Sequence, residues 1–193
     1  FKNGAYTGDI WNSIYNNKQA LDVSLENAQL SDQVTMTATG VSGVTDGGAS
    51  ISAQLDEVFT VEQCLYAIML ASANDVALQI AEQIGGSVDG FVQMMNNRAV
   101  ELGCTNTVFT NPTGLPDDNQ HTTAHDMALI MQAAIQNESF RTIAAATSYT
   151  IPATNKAAAR NLTSKFTMTD TGSTGFYEGC IGGKEGYTEA SGS

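Results

Sequence analysis

Basic residues are scarce in this sequence of 193 residues, because only 8 lysines and arginines stand against 20 aspartates and glutamates. The net charge of −12 repels nucleic acid phosphates and anionic lipid head groups, so neither is an expected partner. No stretch reaches the roughly 18 consecutive apolar residues of a membrane-spanning helix. The opening residues, FKNGAYTG, also lack the apolar segment of a signal peptide. If the protein is exported, we expect this sequence to be a mature or trimmed form.

Cysteine is also rare. Cys64, Cys104 and Cys180 cannot all pair with one another, and none of them lies in a Cys-x-x-Cys or His-rich spacing. We therefore predict free, mostly buried thiols. His121 and His125 are four residues apart, but a predicted helix start lies between them, so we expect neither a metal site nor a cofactor.

The middle of the sequence predicts helices. From Thr60 to Gly86, apolar residues occur on all sides of a helical projection, with a capping box between Thr60 and Gln63. This pattern predicts either one buried helix or a broken pair of helices. A second helix follows with Ser87 as its N-cap and Gly103 as its stop. We predict a third helix over residues 123–135 and a short fourth one at ESFRTIAAA.

The two ends of the sequence predict strands. Residues 1–60 contain mostly short strand-like and turn-like segments, and SYTIPAT, KFTMTDT and FYEGCIGGKEGYTEA combine β-branched or aromatic residues with glycine-rich turns. No linker is long enough to divide the chain. We therefore predict a single α+β domain over residues 1–193, complete or incomplete.

Two segments carry polar groups where the local pattern does not call for them. In ASAND, Ser72 and Asn74 are two residues apart, so on a continuous helix they would point about 200° away from each other. A helix break would let both face a cleft, whereas the alternative is a satisfied polar patch. In GGKEGYTEASG, Lys184 stands beside glycines in a predicted edge strand, where a substrate backbone can approach closely.

These segments resemble the motifs of the serine-type D-alanyl-D-alanine carboxypeptidases, which are low-molecular-weight penicillin-binding proteins. That family uses Ser-x-x-Lys, Ser-x-Asn and Lys-Thr-Gly in this order. The resemblance covers residues 30–193 and includes LSDQVTMT, the helical region around ASAND, the loop NPTGL and GCIGGKEGYTEASG. It implies a β-lactamase/transpeptidase-like α+β fold in which a helical block packs on an antiparallel sheet, with some family strands absent from this sequence.

The resemblance also assigns roles to residues. Ser72 would relay a proton to the leaving group, and Asn74 would hold the peptide bond of the substrate. Lys184 would set a positive field, while Gly186 and Tyr187 would border the bound peptide.

Glu185 is a departure, since it replaces the threonine of the third motif. We place it in the substrate-binding set, where a second carboxylate about 4 Å from a substrate carboxylate would cost on the order of 4 kcal/mol at an effective dielectric constant near 20.

The first motif is degenerate. Its spacing from Gly8 favours Ser24 as the nucleophile, but Asn27 then occupies the position of the lysine. The pattern also lacks the helix that follows this motif in the family, so we expect Ser24 to lie in an early turn. An alternative register that begins at Ser13 lacks the lysine too, and Lys18 is not three residues after any serine.

The first hypothesis for function is therefore a carboxypeptidase that cleaves peptidoglycan stem peptides through an acyl-enzyme, binds β-lactams, needs no cofactor and works outside the cytoplasm, in the bacterial cell envelope or secreted. The second is a catalytically inactive homologue that serves as a cell-wall binding or scaffold protein. A β-lactamase is a less favoured third reading. The oligomeric state stays open, as does peripheral membrane association through regions outside this sequence.

Overall fold

The structure is a computed structural model that describes residues 10–44 and 48–186, with side chains described from Asn17 onward. Within this part, the chain forms helices and short strands in an α+β arrangement. The helices are α1 (Ile10–Asn27), α2 (Ala38–Ser42), α3 (Val61–Ala71), α4 (Asn74–Gly85), α5 (Val88–Glu101), α6 (Ala124–Ala134) and α7 (Glu138–Ala145). The strands are β1 (Gln33–Thr35), β2 (Val58–Thr60), β3 (Ser148–Ile151) and β4 (Arg160–Thr163).

The strands pair in sequence order. β1 and β2 are antiparallel with Val34 opposite Phe59, and β3 and β4 are antiparallel with Tyr149 opposite Leu162. In the described residues these pairs form separate two-stranded sheets. The β3–β4 pair packs on α3, where the rings of Tyr66 and Tyr149 stack with centroids 3.9 Å apart.

Helix α3 occupies the centre of the molecule. Eight of its eleven residues are buried, because its sequence is apolar on all sides. It contacts α4 as well as β3 and β4. A second apolar cluster, built around Phe91, Met95, Met127 and Ile130, joins α5 to α6.

The predicted helix boundaries are confirmed for most of the helical block. Thr60 and Gln63 form the capping box, and Ser87 caps α5 by accepting a hydrogen bond from the Gly90 N–H. Of the two patterns predicted after Thr60, the broken pair is the one observed, since α3 ends at Ala71 and α4 begins at Asn74.

The prediction of strands and turns before residue 60 is wrong for α1 and α2. Helix α1 is 18 residues long and packs against α4, α5, α6 and α7. Its inward face includes the polar residues Asn17, Gln19, Asp22 and Ser24, all of them buried. These polar residues interrupt the apolar periodicity, which explains why the sequence pattern did not predict a helix.

The predicted strand around Lys184 is also not observed, because residues 181–186 form no strand and residues 187–192 lie outside the described part. Two glycines shape this segment. The backbone of Gly182 has φ +149° and lies against the carbonyl of Ala144, and Gly183 packs against the ring of Phe166 with no room for a Cβ. Residues 181–186 lie against the C-terminal end of α7, and within the described part of the chain they do not pair with a strand.

The cysteines are free thiols, as predicted, with Cys64 and Cys104 buried and Cys180 half-buried. Burial raises the pKa of the Cys104 thiol to about 11 and that of Cys64 still further. Among the helices in the described ranges, none combines the length and the apolar content that crossing a bilayer requires.

Candidate active site

The turn between α3 and α4 places Ser72 in an unusual backbone conformation. Ser72 has φ 54° and ψ 35°, the left-handed region, which costs a residue with a Cβ about 1–2 kcal/mol. Backbone hydrogen bonds hold the turn: the Ser72 and Ala73 N–H groups donate to Ala67 O, and the Asn74 N–H donates to Ala49 O at 2.8 Å. Ser72 and Asn74 therefore do not lie on one continuous helix, which is the condition for both to face one cleft.

Asp75 fastens this turn to a neighbouring loop. Its buried carboxylate accepts hydrogen bonds from the backbone N–H groups of Ile51 and Ala53, at 3.2 and 3.0 Å, and from that of Val76. Because these donors are buried, the carboxylate satisfies N–H groups that would otherwise lack partners. The position of residues 49–53 is therefore tied to the start of α4.

Lys184 approaches Ser72 from the other end of the sequence. Its Nζ donates a hydrogen bond to Ser72 Oγ at 2.6 Å and another to the Glu185 carbonyl oxygen at 2.9 Å. Lys184 is only 5% exposed, whereas Ser72 is half-buried. The two residues thus form a hydrogen-bonded hydroxyl and amine pair that solvent reaches from the serine side.

The surroundings of this amine disfavour its charge. Burial lowers the pKa of Lys184 to about 8, the Glu185 carboxylate opposes the shift, and the positive charges of Lys18 and Lys165 add to it. An amine with such a pKa is partly neutral near physiological pH. It can therefore accept a proton as well as hold a charge.

Lys18 is a site residue that the sequence interpretation missed. It lies half-buried on α1, close enough to Lys184 for their charges to interact. Burial lowers the pKa of Lys18, and the sulfur of Cys180 opposes this shift. The interpretation set Lys18 aside because Tyr15, and not a serine, stands three residues before it. Recognising α1 as a helix that begins before Lys18 would have been the signal.

Ser24 is not in the predicted early turn, because it lies inside α1. It is 0% exposed, and among the described residues its Oγ has no hydrogen-bond partner. It lies six positions after Lys18 on the helix, which places it about 9 Å further along the axis and about 240° around it. Its role as nucleophile stays a prediction, which this burial disfavours because a substrate carbonyl cannot reach a sealed hydroxyl.

Residues 18–193 match the family of D-alanyl-D-alanine carboxypeptidases. The chain belongs to this family. It is 38% identical over 144 residues to the D-alanyl-D-alanine carboxypeptidase DacF of Bacillus subtilis, a match that covers 74% of this chain and 35% of DacF. It is 34% identical over 164 residues to DacB2 of Mycobacterium tuberculosis, which covers 82% of this chain and 54% of DacB2.

The fold agrees with this membership. A crystal structure of a D-alanyl-D-alanine carboxypeptidase from Mycobacterium tuberculosis superimposes with a TM-score of 0.78 at 29% identity, covering 92% of this chain and 64% of that one. The predicted transpeptidase-like α+β class is confirmed. This carboxypeptidase-family chain spans about a third to a half of the length of the curated relatives it matches.

The remaining predicted site residues of this family member differ in how deeply they are buried. Asn74 is the first residue of α4 and is buried, Glu185 is exposed, and Gly186 is half-buried. Tyr187 lies outside the described residues. The structure thus brings Ser72 and Lys184 together, while the predicted roles of all of these residues stay predictions.

The two histidines have separate local partners. Ring Nδ1 of His121 lies 3.1 Å from Asn119 O, whereas Nδ1 of His125 lies 3.5 Å from a carboxylate oxygen of Asp126. Over the described ranges, no three or more His, Cys, Asp or Glu side chains cluster in a way that could hold a metal ion.

Proposed function

We propose that this chain acts as a serine-type D-Ala-D-Ala carboxypeptidase on peptidoglycan stem peptides, through an acyl-enzyme intermediate. The observation that carries the proposal is the 2.6 Å hydrogen bond between Lys184 Nζ and Ser72 Oγ, because passing a proton to the leaving group needs a hydroxyl in contact with a group that can exchange a proton. Family membership supplies the substrate class.

The chemistry proposed for the site uses side chains alone. Lys184 exchanges a proton with Ser72, and the serine hydroxyl passes it to the nitrogen of the leaving D-alanine. The Asn74 amide has a donor and an acceptor with which to hold the peptide bond of the substrate. No cofactor takes part in the proposed reaction.

Glu185 sets a condition on the substrate. Its exposed carboxylate follows Lys184 directly, where it repels a terminal carboxylate, while the nearby charges of Lys18 and Lys165 attract one. We therefore propose weak recognition of the free D-alanine carboxylate, which Glu185→Thr would strengthen. Since the substrate is part of the cell wall, the proposed location is outside the cytoplasm, at the bacterial envelope or secreted.

The test measures two reactions at the same site, the formation of a penicillin adduct and the release of D-alanine. The protein is incubated with a labelled penicillin and examined by intact mass, and D-alanine release is measured from a stem-pentapeptide analogue. We expect a covalent adduct and D-alanine release, both lost in Lys184→Met and both retained in Lys156→Met, which changes an exposed lysine. D-alanine release that is equal in the two variants would contradict the proposed role of Lys184.

A second candidate function is a catalytically inactive cell-wall binding or scaffold protein. The complete burial of Ser24 favours it, together with the absence of a serine three residues before Lys18. In that case neither an adduct nor D-alanine release occurs, while the protein still binds muropeptides.

A further inference from the structure

We propose that the face between α6 and α7 is a separate binding site, which holds a carboxylate with an aliphatic chain, a ligand of the fatty-acid type. An inner cavity and a wider outer groove adjoin on this face, and the described residues that line them do not include Ser72 or Lys184. The proposal is therefore independent of the proposed acyl transfer.

The inner cavity is small and basic. Its volume of about 30 Å³ has room for a group the size of a water molecule or a carboxylate. Two cations line it, Lys18 from α1 and Arg141 from α7, and the rest of its wall is apolar side chain and glycine backbone. Among the described residues that line the cavity, none is acidic.

These two cations have no carboxylate partner in the described ranges. Arg98 and Arg160 both form ion pairs, but neither Lys18 nor Arg141 does so with any residue of the described part. Arg141 instead donates hydrogen bonds to two backbone carbonyl oxygens at the end of α6, at 2.6 and 3.2 Å. In a chain with 20 acidic and 8 basic residues, two such cations at one cavity indicate an anion that comes from outside the chain.

A bound carboxylate would complement Lys18 in particular. The side chain is half-buried, and this burial lowers the pKa of Lys18 because it disfavours the ammonium form. An opposite charge in the inner cavity would favour the ammonium form again and offset part of the cost of burying it.

The outer groove has the volume of a ligand pocket. It measures about 580 Å³, within the range of roughly 300–1,000 Å³ that is typical of small-molecule sites. It shares Met131, Ile135 and Ile181 with the inner cavity and extends along α6 to Ala128 and His125. Ile181 is 64% exposed, so a ligand in the groove would cover apolar surface that now faces solvent.

The walls of the outer groove favour a hydrocarbon chain over a peptide. Of the described residues that line it, His125 and Gln132 alone have polar side chains. A buried peptide needs a partner for the N–H and the C=O of each residue, whereas a hydrocarbon chain needs none. The net charge of −12 repels an anionic bilayer, so we propose that the ligand binds as a single molecule.

Titration calorimetry with decanoate tests the basic end of the site. We expect saturable binding that Lys18→Met weakens at least about tenfold, because the variant removes a hydrogen bond between charged groups. Lys156→Met is the matched control, since it changes an exposed lysine away from this face and should bind like the wild type. Methionine is apolar and suits a half-buried position, so Lys18→Met should keep the fold, which circular dichroism and thermal unfolding verify.

A second pair of variants tests the apolar end. Ala128→Trp fills the outer groove and should weaken decanoate binding, whereas Ala158→Trp places the same ring at an exposed position elsewhere and should not. Acetate, which has the carboxylate without the chain, should bind at least about tenfold more weakly than decanoate. Lys184→Met should still bind decanoate, because Lys184 does not line the site.

Several results would overturn the proposal. Equal affinity of wild type and Lys18→Met for decanoate, or equal affinity of the wild type for decanoate and uncharged decanol, would remove the role of the cations. Loss of binding in Lys184→Met would move the ligand to the cleft at Ser72. No decanoate binding, with self-association that Ala128→Trp abolishes, would make a second copy of the chain the occupant of the face.

Discussion

The half-buried Arg160 and the buried Glu57 form an ion pair through two hydrogen bonds, at 2.7 and 3.0 Å, although they are 103 positions apart in the sequence. Glu57 is 0% exposed and also accepts hydrogen bonds from Thr154 and from the Gln54 N–H. Burial raises the pKa of Glu57, but these bonds outweigh it and hold the pKa below its ordinary value. The pair joins β4 to the residue before β2.

Replacing Arg160 with leucine should destabilise the fold strongly. Arg160→Leu leaves a buried carboxylate without its partner, and we expect the free energy of unfolding to fall by about 3 kcal/mol. Urea denaturation followed by circular dichroism measures it. Lys156→Leu, in the same β3–β4 hairpin but exposed, should change it by less than about 0.5 kcal/mol.

The double variant Glu57→Leu with Arg160→Leu tests the same ion pair. It removes both charges, so it should recover most of the stability that Arg160→Leu loses. If Arg160→Leu were as stable as Lys156→Leu, the pair would be irrelevant to the fold.

Asp22 should destabilise the protein at neutral pH. It is 3% exposed on α1, and burial raises its pKa from 3.8 to about 6, with Glu26 adding to the shift and Arg98 opposing it. The folded protein therefore binds more protons than the unfolded chain between about pH 4 and 6, and the free energy of unfolding decreases as the pH rises through this window.

Asp22→Asn should remove this dependence. We expect a gain of about 2 kcal/mol in the free energy of unfolding at pH 7.5, and no comparable gain at pH 4. Thermal or urea unfolding at both pH values decides the matter. An equal change at the two pH values would trace the effect to packing and not to the carboxylate charge.

Gly183 should be necessary for the position of Lys184. A Cβ at Gly183 would collide with the ring of Phe166, so Gly183→Ala must displace either the ring or the backbone beside Lys184. We expect penicillin labelling to slow at least about tenfold, since small misplacements of reacting groups have effects of this size. Gly172→Ala is the matched control, because a Cβ there meets only one atom, at 3.4 Å. If Gly183→Ala and Gly172→Ala were labelled at the same rate, the backbone beside Lys184 would tolerate the added Cβ.

The rate of acylation should rise with pH. If Lys184 acts as the base, only its neutral form is competent, so the labelling rate should increase through about pH 8 and level off above it. Lys184→Arg keeps the charge but stays protonated, and should label slowly at every pH. A rate that does not change between about pH 6 and about pH 10 would contradict the role of base.

Local signals predicted much of the helical block. The capping box at Thr60 and the N-cap at Ser87 are short-range hydrogen bonds, and the structure shows both. Helix α1 was missed because its buried face carries Gln19, Asp22 and Ser24, whose polarity conceals the periodicity. Residues 181–186, the described part of the strand predicted around Lys184, form no strand, because Gly182 and Gly183 fit against α7 and Phe166.

The sequence by itself determined the family and the order of the second and third motifs, since these depend on residue identity, whereas the structure decided that the helix breaks at Ser72. Only the tertiary structure decided that Lys184 meets Ser72, that Lys18 lies near them and that Ser24 is sealed in a helix. The reason is physical. Contacts across 112 residues and the depth of a side chain depend on how the whole core packs, which no local pattern encodes.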